Sequence, residues 1–316
     1  MRWKGRRQSS NIEDRRGSDG GSRAGGFRIP TGGGGIRIPT GGGAGRMSGG
    51  SLVVIALVVV GLWIFAGINP MQLLDMVSGD GGGGSYAERT MPTGGGGGGQ
   101  VAGNDEDKQF IATVLAETER TWTRIFREAD ASYPEPTLVL YAGATQTHCG
   151  LGTAAVGPFY CPNDQNIYLD LEFFELMRSR FRSPGDFAQA YVIAHEVGHH
   201  VQKQTGVLDE FNRRRQQMRE VDASALSVRV ELQADCYAGI WAHDADRIGI
   251  LEEGDIEEAL NAAHQIGDDM MQKRTQGHVV PDAFHHGTSA QRMRWFQRGY
   301  ESGDIAACDT FGGDSL

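Results

Sequence analysis

The stretch that most constrains this chain is Tyr191-Val192-Ile193-Ala194-His195-Glu196-Val197-Gly198-His199-His200. It contains His-Glu-x-x-His, a spacing that does chemistry only on a helix. Residues i and i+4 lie one turn apart on the same helical face, so His195 and His199 present two imidazole nitrogens to one point. Glu196 lies roughly 100° further round the helix, beside that point rather than at it. Two imidazoles converging on one point form a zinc-ligand pair. A neighbouring carboxylate that does not ligate can take a proton from water. The flanks predict the helix. Ser183 reads as its N-cap, Pro184 as its first helical residue and Asp186 as the third residue after the cap. Phe187, Ala190, Tyr191, Ala194, Gly198 and Val201 recur at spacings of three and four, and Gly206 is a C-terminal stop. Apolar nearly all round, this should be a core helix.

Glycine and charge divide the rest of the chain. Of 316 residues 47 are glycine, many of them in the first hundred, so one globular domain of roughly 200 residues is expected. Residues 1–50 carry a net +7 and the remainder a net −17, which gives the folded part no nucleic-acid-binding character. Residues 1–50, rich in Gly, Arg and Ser, read as a disordered basic tail that cannot bury a core. Arg-Ile-Pro-Thr-Gly-Gly-Gly occurs there twice, from Arg28 and from Arg37. It reads as low-complexity duplication, with a docking site for an unidentified protein partner as the alternative. Leu52–Ile68 is a run of 17 almost wholly apolar residues, the short end for a membrane span. With glycine-rich sequence on both sides, residues 51–69 read as one transmembrane helix in contact with the lipid bilayer. The positive charge ahead of it predicts a cytoplasmic N-terminus and an external domain. Residues 70–103 read as a flexible glycine-rich linker spanning on average about 30 Å.

The folded domain is expected over 104–316. Asn104-Asp105-Glu106-Asp107 caps a helix to about Ala129 with a stripe of Phe110, Val114, Thr118, Trp122 and Ile125. Strands are expected at Thr137–Tyr141 and Asn166–Leu171, with a short one at Gly157–Tyr160. Helices follow: Glu172–Arg182, the metal helix, Asp209–Glu220, Ser224–Asp244, one from Asp255 to Gly277 capped by Asp255 with Glu258, and a last one capped by Thr288 with Gln291. A small sheet ahead of a set of helices is an α+β arrangement.

A catalytic zinc takes three protein ligands and keeps an open position. Glu231-Leu232-Gln233-Ala234-Asp235 supplies two carboxylates one helical turn apart among apolar neighbours, where charges need partners. Glu231 is the candidate third ligand. Asp235 is placed to accept a hydrogen bond from the non-ligating nitrogen of a zinc histidine. Should the site hydrolyse a carbonyl compound, His286, His264 and Tyr237 are candidate donors to the developing oxyanion, His286 preferred. The edge of Ile167–Leu171 could hold extended substrate by strand addition. All four cysteines lie beyond the apolar run. Of the three possible pairings, Cys149–Cys161 with Cys236–Cys308 is preferred. The shorter loop alone would stabilise by about 3 kcal/mol.

HEVGHH followed by ELQADCYAG resembles the thermolysin-like peptidases (gluzincins). More closely it resembles the bacterial family of putative neutral zinc metallopeptidases. CGLGTAAVGPFYCPNDQNIYLDLEFF, AYVIAHEVGHHVQ, VELQADCYAGIWAH, IGDDMMQ and HHGTSAQRMRWF carry the resemblance over residues 105–316. It implies a zincin-like fold, a small sheet packed on the helices that carry the metal site. It also implies zinc ligands at His195, His199 and Glu231, Glu196 as base, Asp235 as support and a single-span protein of the inner membrane with the domain in the periplasm or outside. One departure is Phe284-His285-His286-Gly287, where Phe-Thr-His-Gly is expected. The reading is a membrane-anchored zinc endopeptidase acting on polypeptides. The alternative is a catalytically silent scaffold or chaperone that keeps the zinc fold.

Overall fold

The computed structural model describes residues 1–16, 105–153, 157–179, 185–313 and 316. The apolar run Leu52–Ile68, the glycine-rich linker and Ser183 fall outside them. Among the described residues no helix is long and apolar enough to cross a membrane. In chain order the elements are β1 (Ile12–Asp14), α1 (Asp105–Glu128), β2 (Thr137–Tyr141), β3 (Ala144–Thr147), β4 (Gly150–Thr153), β5 (Phe159–Cys161), β6 (Asn166–Asp170) and α2 (Leu171–Ser179). Then come α3 (Asp186–Gln204), α4 (Val207–Arg215), α5 (Glu220–Arg247), α6 (Asp255–Gln265), α7 (Asp268–Gln276) and α8 (Ser289–Ser302). The arrangement is α+β.

The main sheet has the order β1-β2-β6-β5. β1 and β6 run parallel to β2, and β5 runs antiparallel to β6. Leu138 to Tyr141 are all buried, the uninterrupted apolar run of a strand covered on both faces. Leu138, Leu140, Ile167 and Leu169 join the main core with the helices, while Val139, Tyr141, Tyr168 and Cys161 form a small cluster on the other face. The β3–β4 hairpin is a separate two-stranded sheet. The Cys149–Cys161 disulfide ties the tip of that hairpin to β5.

Helix α3 lies in the core, buried on nearly every face. The sequence expects a Ser183 cap, but the helix begins at Asp186 with Gly185 at the cap position and no side chain of its own there. Glu258 of α6 supplies the cap instead: its Oε2 accepts from the Phe187 N–H at 3.1 Å. A side chain on Gly185 would overlap that carboxylate. Glu258 therefore does not cap its own helix, as the sequence reading expects, and α6 starts from Gly254 in the left-handed conformation without a side-chain cap. The single helix expected over Asp255–Gly277 is two, broken between Gln265 and Asp268. Thr288 and Gln291 do form the expected capping box on α8.

Two further readings are corrected. Residues 1–50 are not uniformly a tail without core: Met1 is buried, Trp3 and Ile12 pack on the core, and β1 extends the sheet. Short, strongly charged and isolated by glycine, this segment has no periodicity of its own. It folds only because β2 and α1 offer it a surface. Strand β6 is also not an edge, because β2 and β5 pair with it on either side. The sheet ends at β5.

Candidate metal centre

Helix α3 carries His195, Glu196 and His199, and α5 carries Glu231 and Asp235. The two helices touch at Gly198. A Cβ there would lie 2.9 Å from the Ala234 carbonyl oxygen and 3.1 Å from its Cα. The glycine inside His-Glu-x-Gly-His thus lets α5 approach closely enough to bring Glu231 over the histidine pair. His195 Nε2 lies 3.3 Å from Glu231 Oε2, and His199 Nε2 lies 3.6 Å from Glu231 Oε1. One donor atom from each of the three residues falls within a common 4.8 Å.

The other ring nitrogens are already committed. His195 Nδ1–H donates to Asp235 Oδ1 at 2.8 Å, and His199 Nδ1–H donates to Gln202 Oε1 at 2.9 Å. Gln202 is fixed in turn, its amide donating to the Val230 carbonyl and to Gln233 Oε1 at 2.7 and 3.0 Å. Both imidazoles therefore keep the tautomer that leaves a lone pair on Nε2, directed towards Glu231. Two imidazole lone pairs and one carboxylate form a donor set suited to zinc. Burial pushes Asp235 up, but the Arg292 guanidinium and His195 hold its carboxyl down to about 2. Burial likewise pushes Glu231 up, and the three histidines around it hold it well below the usual carboxylate range. Glu196 is buried, and its Oε2 has no hydrogen-bond partner.

The sequence reading misses the groups that hold Asp235. Arg292 of α8 donates from Nε to Asp235 Oδ2 at 2.8 Å and from Nη2 to Oδ1 at 2.9 Å. The Tyr191 hydroxyl donates to the same Oδ1 at 2.5 Å. Arg292 is nearly fully buried, and Asp235 entirely so. Ionic charge at this depth needs a bidentate partner, and the arginine fork provides one. A lone arginine in an amphipathic terminal helix gives no signal of this in sequence. The pairing appears only when α8 packs on α5.

A cleft of about 830 Å³ opens over the cluster. His195, Glu196, His199, Glu231 and His286 line it, with Phe173, Leu176, Leu208, Phe211, Ile266 and Met271 as apolar walls. Of the three candidate donors only His286 is on the cleft wall. Tyr237 is buried edge-on against Trp122, and His264 sits at the end of α6, where its carbonyl accepts from the Ser289 hydroxyl. Asp268 organises the His286 loop. Its Oδ2 accepts from the N–H groups of His285, His286 and Gly287 at 2.7, 2.6 and 3.0 Å, and Oδ1 meets His286 Nδ1 at 3.1 Å. Burial pushes His286 down, but Asp268 and Glu231 raise it above the ordinary histidine value. His285 joins this loop through its backbone N–H, which Asp268 accepts. A second acidic group, Asp186 with Asp255 and Glu258, already faces the Met1 amino group, which lies 3.1 Å from Asp186 and 3.3 Å from Asp255.

The disulfides are Cys149–Cys161 and Cys236–Cys308, the preferred pairing. The family model described as putative neutral zinc metallopeptidase matches residues 1–311. The chain is similar to the uncharacterized protein YpfJ of Escherichia coli K12, 45% identical over 314 residues and 99% of each chain. It is also similar to the uncharacterized protein Rv2575 of Mycobacterium tuberculosis H37Rv, 40% identical over 219 residues, 66% of this chain and 73% of the other. No solved structure matches it at a significant level. With the match starting at residue 1 and taking in both metal-site helices, the chain belongs to the putative neutral zinc metallopeptidase family.

Proposed function

We propose that this protein is a zinc-dependent endopeptidase that hydrolyses peptide bonds with Glu196 as general base. The observation that carries the reading is a three-donor metal cluster with a buried, unpartnered carboxylate oxygen at its edge. A carboxylate on the cleft wall with an oxygen free of protein partners can bond a water beside the cluster, which a general base needs and a scaffold does not.

His195, His199 and Glu231 would hold the ion, with Asp235 and Gln202 fixing the two imidazoles. Zinc bound there supplies Lewis acidity, acidifying water and polarising a carbonyl. Glu196 Oε2 takes the proton of the attacking water and delivers it to the leaving amine. With Nδ1–H given to Asp268, His286 carries an Nε2–H only as the imidazolium, the form that Asp268 and Glu231 favour. That N–H donates to the developing oxyanion. Phe159 and Tyr160 of β5, the last strand of the sheet, line the cleft. An extended polypeptide would pair along β5 by strand addition rather than along β6. The apolar run Leu52–Ile68 attaches the protein to a bilayer, and two disulfides suit an oxidising compartment, the periplasm or the cell exterior.

The test is cleavage of an unfolded protein by the purified zinc-loaded chain, with and without chelator. Cleavage abolished by chelation and restored by zinc is expected. Zinc-loaded protein that binds the polypeptide without cutting it would favour the scaffold or chaperone reading.

A further inference from the structure

The first sixteen residues occupy a surface built for them. Strand β1 pairs in parallel with β2, in register from Ile12 opposite Leu138 to Asp14 opposite Leu140. Backbone bonds extend the seat: Leu138 N–H to Asn11 O at 2.8 Å, Arg15 N–H to Leu140 O at 2.7 Å, and Ser9 N–H to Ala112 O at 2.9 Å. Trp3 stacks edge-on against Phe110 of α1, with ring centres 5.5 Å apart. The polar contacts are equally specific. Glu119 of α1 is 1% exposed, and its partners are Arg7 at 2.6 Å, Asn11 at 2.9 Å and the Ser9 hydroxyl. All three come from the N-terminal segment. Arg6 likewise reaches the buried Glu117 at 2.8 Å. A buried carboxylate whose partners all lie on one segment marks that segment as part of the folded unit, because without it the charge is left uncompensated.

This seat restricts membrane topology. Paired strands lie about 4.8 Å apart, whereas the hydrocarbon core of a bilayer is about 30 Å thick. No membrane can separate β1 from β2. We propose that residues 1–16 and 105–316 lie on the same side of any membrane. The chain between them then leaves and returns on one side, and Leu52–Ile68 does not act as a single crossing with the N-terminus and the catalytic unit opposite each other. The arginines of the first sixteen residues are paired within the fold. Arg6 and Arg7 meet the buried acids, Arg15 meets Glu13, and Arg16 meets Asp14.

The test uses the full chain and does not depend on peptidase activity. The native cysteines are all in disulfides, so one added cysteine supplies the only free thiol, with the parent chain as blank. Lys4→Cys places it on an exposed position of the N-terminal segment, and Gln297→Cys places it on an exposed position of α8. A membrane-impermeant maleimide is applied to spheroplasts before and after lysis. Both positions are expected to label in the same preparation, either both before lysis or both only after it. Labelling of one in intact spheroplasts and of the other only after lysis overturns the proposal. Amide hydrogen exchange on the purified chain tests the seat directly. Protection of Ser9 and Arg15 comparable to that of β6 is expected, and complete exchange of both at the earliest time point overturns it.

Discussion

Glu196 lines the cleft and Asp235 bonds His195, yet the loss of these two carboxylates should differ. Glu196 is not among the three donors, so Glu196→Gln should keep its zinc while peptide cleavage falls by about 10²–10⁴-fold. Metal analysis beside the rate decides the matter. Loss of zinc would show that Glu196 helps hold the ion. Asp235→Ala removes the hydrogen bond that orients His195, Arg292→Met removes the fork that holds Asp235, and each should weaken zinc binding by roughly 10–100-fold. Competition with a graded chelator measures this, and Arg292→Lys should restore only part of it, because lysine lacks the fork that meets both oxygens. Unchanged affinity in Arg292→Met would reduce Arg292 to a helix staple. His200 is a different case. It is buried beside Tyr133 and Tyr160, with Nε2–H donating to the Pro134 carbonyl at 2.6 Å and Nδ1 near the Tyr160 hydroxyl at 3.1 Å. Burial lowers it to about 4 from an ordinary 6.5, only partly offset by the Pro134 carbonyl. The unfolded chain therefore takes the proton first. The stability that this residue contributes is present above pH 6.5 and is lost as pH falls towards 4, by up to about 3 kcal/mol. Melting temperatures across that window should fall less steeply in His200→Gln than in the parent, and equal slopes would refute the assignment.

At the scale of elements, glycine sets how closely the helices meet. Gly239 of α5 faces Gly299 of α8, and a side chain on either would overlap the other helix's backbone, at Phe296 O or at Cys236 O. Gly299→Ala should therefore cost about 1–3 kcal/mol through overpacking. It should also weaken zinc binding, because it moves the helix that carries Arg292 away from Asp235. Thermal unfolding with a chelator titration reads both effects, and a variant with lowered stability but parental zinc affinity would separate Arg292's position from this contact. Cys236–Cys308 holds the turn after α8 against the same helix pair across 72 residues of sequence. Replacing both cysteines by alanine should lower stability by about 2–5 kcal/mol, measured by denaturant unfolding under oxidising conditions.

For the whole molecule, the decisive quantity is metal stoichiometry. The full chain should bind about one zinc, since the other acidic cluster among the described residues already faces the Met1 amino group. Inductively coupled plasma analysis after gentle purification should show this, with loss in His195→Ala combined with His199→Ala. Zinc retained in that double variant would place the metal elsewhere. The sheet also joins the chain's first sixteen residues to its last two hundred or so, so the folded unit is not simply the C-terminal part. A fragment beginning near residue 104 would lack β1, leave β2 as a bare apolar edge and expose Glu119 without its partners.

The sequence by itself determined the metal helix, because a period of four between two histidines has one geometric meaning on a helix. It also determined the Glu231–Asp235 spacing, the α+β order and the capping box of α8, and it left the cysteine pairing a preference among three that the structure settled. These are local patterns or simple counts, carried by spacing along the chain. Only the tertiary structure decided the rest. Arg292 became a support of the site because α8 packs on α5, Gln202 beside His199 on its own helix is held there by Val230 and Gln233 of α5, and Glu258 caps α3 from another helix. The break between α6 and α7 falls at Ile266–Gly267, where a side chain on Gly267 would overlap Ser289. Strand β1 formed because β2 and α1 complete it. Long-range hydrogen bonds between residues with no fixed spacing leave no periodicity to read. A strand of three residues has too little of its own, and its stability comes from the partner that pairs with it.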